Sequence, residues 1–399
     1  MWELIRANQR KSAILIVLMG IILVGLGYLI GFFVDGMSGA IWGVIIATAV
    51  WFIQLLIAFF AGKDIMLTTS GAKPITPDMH PQLYNVVEEM RIAAGMTVTP
   101  KIYIINSEMP NAFAAGMKQE DSVIAVTAGL LGRLNRDELQ GVVAHEMSHI
   151  NNRDIRFMTI AGVMMGTIIL LAQIFLRGMM FSGGGSRRSS NEGGGAGQII
   201  LIIIVIAVAI LAPIMAQLLY FAISRKREYL ADASAARLTR YPEGLASALE
   251  KIASSDAQIT TANKVTAPLY IVNPLKRASN KRVSDLSSTH PPISERIRIL
   301  RSMSGGANYV NYNEAYQSVR HKSGVIPQSG LTDLADMPIR QGLVNDMSAK
   351  STARATGDIM MTVDHYSFVN CSCGMKLKIP PKYSAGFIVC PRCGTNHTL

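Results

Sequence analysis

His145 and His149 stand four residues apart in the stretch Val142-Val143-Ala144-His145-Glu146-Met147-Ser148-His149-Ile150. On a helix, that spacing projects both imidazoles from one face about a turn apart, where they can grip one metal ion. Glu146 follows the first imidazole closely enough to handle the proton of an activated water. Such chemistry needs a helix beneath it and a further ligand beside it. The helix has a start, because Asn135 with Glu138 three residues on forms a capping-box pattern. The alternative is an amphipathic helix that carries two histidines by chance, so the case turns on a third ligand.

That ligand is sought in the rest of the chain, whose composition already narrows the class. Of 399 residues, 50% are hydrophobic and 16% charged, and the mean hydropathy is +0.29. This balance suits a membrane protein with a soluble part. The formal net charge of +11 is explained by basic flanks of membrane spans, where Lys and Arg accumulate on the cytoplasmic side, so no nucleic-acid partner is expected. Nothing at the start reads as a cleavable signal, since the apolar run after Arg6, Arg10 and Lys11 is too long for one.

Four uncharged runs are each long enough to cross a bilayer: Ala13 to Val34, Ile41 to Gly62, Phe157 to Leu176 and Ile199 to Ile223. The first two are joined by an acidic turn and flanked by basic residues, which predicts a hairpin with both ends in the cytoplasm. Spans three and four predict a second hairpin, with a Gly-rich loop between them and a kink at Pro213. None of the four carries a mid-depth charge, which counts against a channel or transporter.

Between the hairpins the composition is that of a globular α/β segment. A helix is predicted over Pro81 to Gly95, and strands over Lys101 to Asn106 and Ser122 to Thr127. Pro110 to Gly116 reads equally well as a loop or as an exposed edge strand able to pair with an extended peptide. After the fourth span, Ser224-Arg225-Lys226-Arg227 marks a cytoplasmic flank and Glu228-Tyr229-Leu230-Ala231-Asp232 opens a helix. Topology returns Glu228 to the side of His145 and His149, which completes a His-His-Glu set for zinc. Asp232, one turn on, is placed to accept a hydrogen bond from a ligating imidazole.

With these residues assembled, the chain resembles the HtpX-type membrane metallopeptidases, relatives of the CaaX prenyl endopeptidases. The resemblance covers roughly three quarters of the chain, to about Leu300. It rests on Asn111-Ala112-Phe113-Ala114-Ala115-Gly116, His145-Glu146-Met147-Ser148-His149, Asp154, Ser224-Arg225 with Glu228 and Asp232, and Thr289-His290-Pro291-Pro292 with Arg296. It implies a gluzincin-like catalytic domain facing the cytoplasm and a role in removing damaged or misfolded membrane proteins. It also implies Asp154 as a residue supporting the ligands and Asn111, Ala112 and Phe113 as the substrate-pairing edge. Arg296 then belongs with the substrate-binding residues, and His290 helps steady the tetrahedral intermediate. On residue pattern alone, Pro291 and Pro292 start a helix whose buried stripe is Ile293, Ile297 and Leu300.

Past the resemblance the chain runs on for about a hundred residues. Ser302 to Thr362 is polar and reads as weak helices or linker. All four cysteines follow: Cys371 and Cys373, then Cys390 and Cys393. Two close pairs with sixteen residues between them predict a structural zinc ribbon, with iron as the alternative metal and His397 as a weak alternative ligand. His80, His321 and His365 read as surface or capping residues.

The expected architecture is therefore a membrane α-helical protein with four spans in two hairpins, a cytoplasmic α+β gluzincin-like metalloprotease domain and a small C-terminal zinc-ribbon domain. Its segments are 1–62 and 157–223 for the hairpins, 63–156 and 224–303 for the catalytic domain, 304–364 for the extension and 365–399 for the ribbon. The expected activity is zinc-dependent endoproteolysis at the inner membrane, with membrane proteins as substrates. A prenyl-peptide endopeptidase and a non-enzymatic adaptor acting through the ribbon are the rivals.

Overall fold

A computed structural model describes residues 2–182, 206, 210, 213–215, 225–255, 270–272, 291–331, 337–342 and 349–399. The fourth predicted span lies almost wholly outside the described residues, as does His290.

Helix α1, Trp2–Ser70, contains a reversal at Asp35 and Gly36, where Gly36 adopts φ +55. A positive φ here is easy for glycine and strained for other residues. The two arms then run back along each other at unusually close range. A Cβ on Gly31 would sit 2.0 Å from the Gly39 carbonyl oxygen, and one on Gly43 would sit 2.1 Å from that of Gly27. Small residues at such a seam let backbones touch where no hydrophobic drive between helices exists, as in lipid. The stretch Gln9–Ser70 is long and apolar enough to cross a membrane. The first predicted hairpin thus has its physical basis in glycines facing glycines.

Next come β1 (Ala72–Pro74), α2 (Pro81–Ala93), β2 (Lys101–Ile105), β3 (Ala112–Ala115) and β4 (Val123–Thr127). The strands form one sheet in the order β1-β2-β4-β3, with β2 and β4 parallel and the outer pairs antiparallel. The disputed segment at Asn111 is therefore a strand, and it lies at the sheet edge. Its four residues are nevertheless buried. His80 acts as the predicted cap, its Nδ1 accepting the Leu83 N–H at 3.1 Å.

Helices α3 (Ala128–Arg133), α4 (Arg136–Asn151) and α5 (Asp154–Ser182) follow; α6 (residues 225–239), α7 (Pro242–Ala253) and α8 (Ile293–Arg301) complete the catalytic part. The sheet separates two cores, and strand alternation sorts residues between them. Ala112, Ala114, Ile124 and Val126 face the core built with α2, α4 and α7. Phe113, Ala115, Val123 and Ala125 face the core built with α1 and α5. Helix α4 presses so closely on α7 that a Cβ on Gly141 would meet the Leu245 nitrogen at 2.7 Å.

Of the two readings of the extension, helices and linker, the structure shows helices, and they join the main core. Helix α9 (Tyr309–Arg320) sends Tyr309, Tyr312 and Tyr316 into the main core. Helix α10 (Ala349–Val363) packs on α3, where Gly132 leaves room for Thr356. In α9 tyrosines supply the buried face, and in α10 only a short stripe of Thr356, Ile359, Met360 and Val363 does, so the apolar signal in this polar stretch is sparse. Two small hairpins end the chain, β5 (Ser367–Asn370) with β6 (Lys376–Ile379) and β7 (Phe387–Val389) with β8 (Asn396–Thr398). Lys376 and Lys378 reach Asp358 of α10 at 2.7 and 3.1 Å, tying the hairpins to the body.

Candidate metal centre

The start of α4 is fixed before its chemistry begins. The Glu138 N–H donates to Asn135 Oδ1 and the Asn135 N–H donates to Glu138 Oε2, both at 2.9 Å, forming the predicted capping box. Lys251 of α7 also reaches Glu138, at 2.9 Å, which anchors this end of the helix to its neighbour.

Two turns further on, the imidazoles of His145 and His149 meet with their Nε2 atoms 3.3 Å apart. Glu228 arrives from α6, with Oε1 3.4 Å from His149 Nε2 and Oε2 3.6 Å from His145 Nε2. All three residues are buried. Ligands 2.0–2.1 Å from a tetrahedral zinc would lie roughly 3.3 Å from one another, so this donor set fits the ion in both spacing and chemistry. Glu146, the residue after His145, is buried beside them.

The opposite edge of each imidazole is also engaged. His145 Nδ1 lies 3.0 Å from Asp232 Oδ1, and His149 Nδ1 lies 3.3 Å from Asp154 Oδ2. Carboxylates at Nδ1 fix the tautomer and leave both Nε2 lone pairs for a metal. Asp232 in turn accepts two hydrogen bonds from Arg296 of α8, from Nε at 2.8 Å and Nη2 at 2.7 Å. Arg296 Nη1 also lies 3.3 Å from Glu228 Oε2.

This placement corrects one expectation. Arg296 does not line a substrate surface; it is 0% exposed and braces the ligands from behind. The signal was in the sequence: Arg296 falls on the same helical stripe as Ile293 and Leu300, and a charge on a buried stripe needs a partner.

The charges shape one another. Burial pushes the His149 imidazole down, but hydrogen bonds and charge from Asp154 and Glu228 outweigh it and hold the pKa at about 10. His145 is raised for the same reason, its desolvation overcome by Asp232 and Glu228. Burial pushes the Asp232 carboxyl up, while Arg296 and His145 more than reverse this and keep it below its usual value.

Strand β3 carries a finding that the sequence did not foreshadow. The Thr127 N–H donates to the Asn111 carbonyl, so ladder alternation turns the N–H and C=O of Ala112 and Ala114 away from β4. Residues 270–272 of the same chain already lie along that outer edge. The Ile271 N–H donates to the Ala112 carbonyl at 3.1 Å. The Asn111 carboxamide then donates to the Val272 carbonyl at 2.7 Å and accepts the Val272 N–H at 3.3 Å. Tyr270 packs edge-on against Phe113, with ring centroids 5.2 Å apart. The edge is therefore not exposed as expected; the Ala112 rung is held from within, while the Ala114 rung has no such partner among the described residues.

The second expected metal set also converges. Cys371, Cys373, Cys390 and Cys393 bring their sulfurs within 4.8 Å of one another. Cys371 and Cys393 are separated by 3.3 Å, and Cys373 and Cys390 by 3.6 Å. Four thiolates about a zinc at roughly 2.3 Å would sit somewhat under 4 Å apart, so this set fits as well. The Cys373 backbone N–H, followed by His397, holds the Cys371 thiol well below its usual value, which favours the thiolate. His397 itself is not one of the four converging donors.

Comparisons with known proteins give the family to which this site belongs. The model of "Peptidase family M48" matches residues 77–304. A protease HtpX homologue of Dictyoglomus turgidum is 49% identical over 302 residues, which make up 76% of this chain and 94% of the relative. One of Streptococcus gordonii is 38% identical over 303 residues, spanning 76% of this chain and 100% of the relative. Among solved structures, the crystal structure of S. mikatae Ste24p is similar at TM-score 0.40 and 20% identity, covering 75% of this chain and 67% of that one. Two imidazoles of a His-Glu-x-x-His helix joined by a distant glutamate define a zinc metalloprotease. The chain belongs to peptidase family M48, and the resemblance to HtpX-type members holds.

Proposed function

We propose that this protein is an endopeptidase of the cell inner membrane that cleaves damaged or misfolded membrane proteins. The observation that carries the reading is the meeting of the His145 and His149 Nε2 atoms with the Glu228 carboxylate at spacings of 3.3–3.6 Å. Four spans in two hairpins, with the active site and C-terminus cytoplasmic, are supported by Arg10, Lys11, Lys63, Arg156 and Arg225-Lys226-Arg227 at the expected cytoplasmic ends of the runs, with Arg187 and Arg188 in the loop between spans three and four counting against it. The catalytic domain combines residues 63–156 and 224–303 with α9 added to its core, and residues 365–399 form the ribbon.

His145, His149 and Glu228 hold the zinc, which when bound supplies Lewis acidity towards water and the scissile carbonyl. Asp232 and Asp154 hold the imidazoles at the productive tautomer, and Arg296 keeps Asp232 ionised and in place. Glu146 accepts the proton of the attacking water and passes it to the leaving nitrogen. His290 contributes to charge stabilisation on the tetrahedral oxygen. The substrate lies extended along β3, using the outward Ala114 N–H and C=O, and Asn111 can grip its backbone only where Val272 gives up the carboxamide it now holds. Cys371, Cys373, Cys390 and Cys393 hold a structural zinc, since four thiolates leave no open position for chemistry.

Glu146→Gln tests the core of this reading. It should keep one zinc on the histidine site, yet lower cleavage of a reconstituted unfolded membrane protein by about 10²–10⁴-fold. Full activity in that variant would reject the mechanism.

A further inference from the structure

A cavity of about 670 Å³ opens where the first arm of α1, the turn after β3 and the α4–α5 corner meet. Its walls divide by chemistry. Ile16 of α1 and Phe157 and Ile160 of α5 form one apolar side, at the depth where both helices begin their uncharged runs. Lys118, Arg153 and Arg156 form the rim, all three exposed and none of them in an ion pair among the described residues. Glu120 is the one acidic side chain on the wall. Arg227 does not line the cavity but braces two residues that do: it is buried, its guanidinium lies 4.0 Å over the Phe157 ring, and it donates to Ser12 Oγ at 3.4 Å.

Basic residues flank the same end of each of the three described arms. Arg10 and Lys11 precede the first apolar run, Lys63 follows the second and Arg156 precedes the third. Arg156 also stacks over Phe59, near the end of the second run, at 5.8 Å. Together they define a plane with hydrocarbon-seeking surface on one side and cations on it. The cavity straddles that plane.

We propose that the cavity binds one anionic phospholipid. Its phosphodiester sits among Lys118, Arg153 and Arg156, and an acyl chain enters between Ile16 and Ile160. Charge complementarity selects the occupant: three cations against one carboxylate favour a net anion, and the apolar wall favours a tailed one. A zwitterionic lipid offers the same tails with no net charge, and a free phosphate ester offers the charge with no tail. An extended peptide without acidic groups would leave the rim cations unpaired.

The test uses the full chain in detergent, titrated with dioleoylphosphatidylglycerol or dioleoylphosphatidylcholine and read by native mass spectrometry. One phosphatidylglycerol should remain bound at concentrations where phosphatidylcholine does not. At about 1 kcal/mol per interfacial cation, Arg153→Gln with Arg156→Gln should weaken retention about thirtyfold. If that pair proves poorly folded, Lys118→Gln, a single exposed change, should weaken it about fivefold. Equal retention of both lipids, undiminished binding in the variants, or displacement of the lipid by glycerol 3-phosphate or by a substrate peptide would each overturn the proposal. Because the readout is binding, it stands or falls separately from proteolysis.

Discussion

Arg296 is the residue on which the metal centre leans hardest. Asp232 joins it to His145, so a buried cation, a buried anion and a ligand form one chain of contacts. Removing one charge leaves the other buried without compensation, which costs about 3–5 kcal/mol. Asp232→Asn should therefore lower thermal stability and, with one imidazole no longer oriented, weaken zinc binding about 10–100-fold in a competition titration. A change confined to stability, with zinc affinity intact, would show that Asp232 does not orient His145. Protons give a second prediction. In the folded protein without metal, the His149 pKa of about 10 means that this imidazole carries a proton at pH 7. That charge stabilises the metal-free fold fully below the unfolded value near 6.5, and the contribution fades as pH rises through the folded value. Zinc must displace the proton, so binding should release at least one proton at pH 7, and affinity should fall as the solution is acidified. Calorimetry in buffers of different ionisation enthalpy measures the number; a value of zero would contradict the assigned ligands.

The element with the most to say about substrate is β3. Its outer edge is shared between the chain's own residues 270–272 at Ala112 and whatever pairs at Ala114. Proline at position 271 removes the N–H that donates to the Ala112 carbonyl, and one such hydrogen bond is worth about 1 kcal/mol. Ile271→Pro should loosen the internal strand and raise kcat/KM for an extended peptide up to about fivefold. Reduced activity instead would mean that residues 270–272 build the groove and do not compete for it. The Asn111 stretch shows how far pattern reading reaches for such an element. Small apolar residues allow a strand or a loop, and local sequence cannot tell them apart. Pairing with β4, whose partners lie from Ala115↔Val123 to Ala112↔Val126, decides it, and burial of both strand faces depends on helices still further away. Helix α4 was the opposite case, since its cap and its histidine spacing are local and the structure reproduces both.

At the scale of the whole molecule, the chain places two metal-binding sets in units of very different size. The ribbon buries only Cys371, Leu377 and Cys390 as its own hydrophobic cluster, too little to hold four short strands by burial alone. Metal binding is then folding energy for that unit. Cys390→Ser with Cys393→Ser should reduce bound zinc from two per chain to one in elemental analysis and open the ribbon to protease, while peptidase activity continues. Loss of both metals together would show that the two units fold as one. The sequence by itself determined the chemistry of this protein, because ligand types, helical spacing and apolar run lengths are local properties that composition and periodicity express directly. Only the tertiary structure decided that Arg296 lies behind the ligands, that α9 belongs to the main core, and that the edge of β3 is already engaged. Those outcomes depend on which distant surfaces meet: the stripe of Ile293, Arg296 and Leu300 marks a buried charge, but only long-range packing sets which groups partner it.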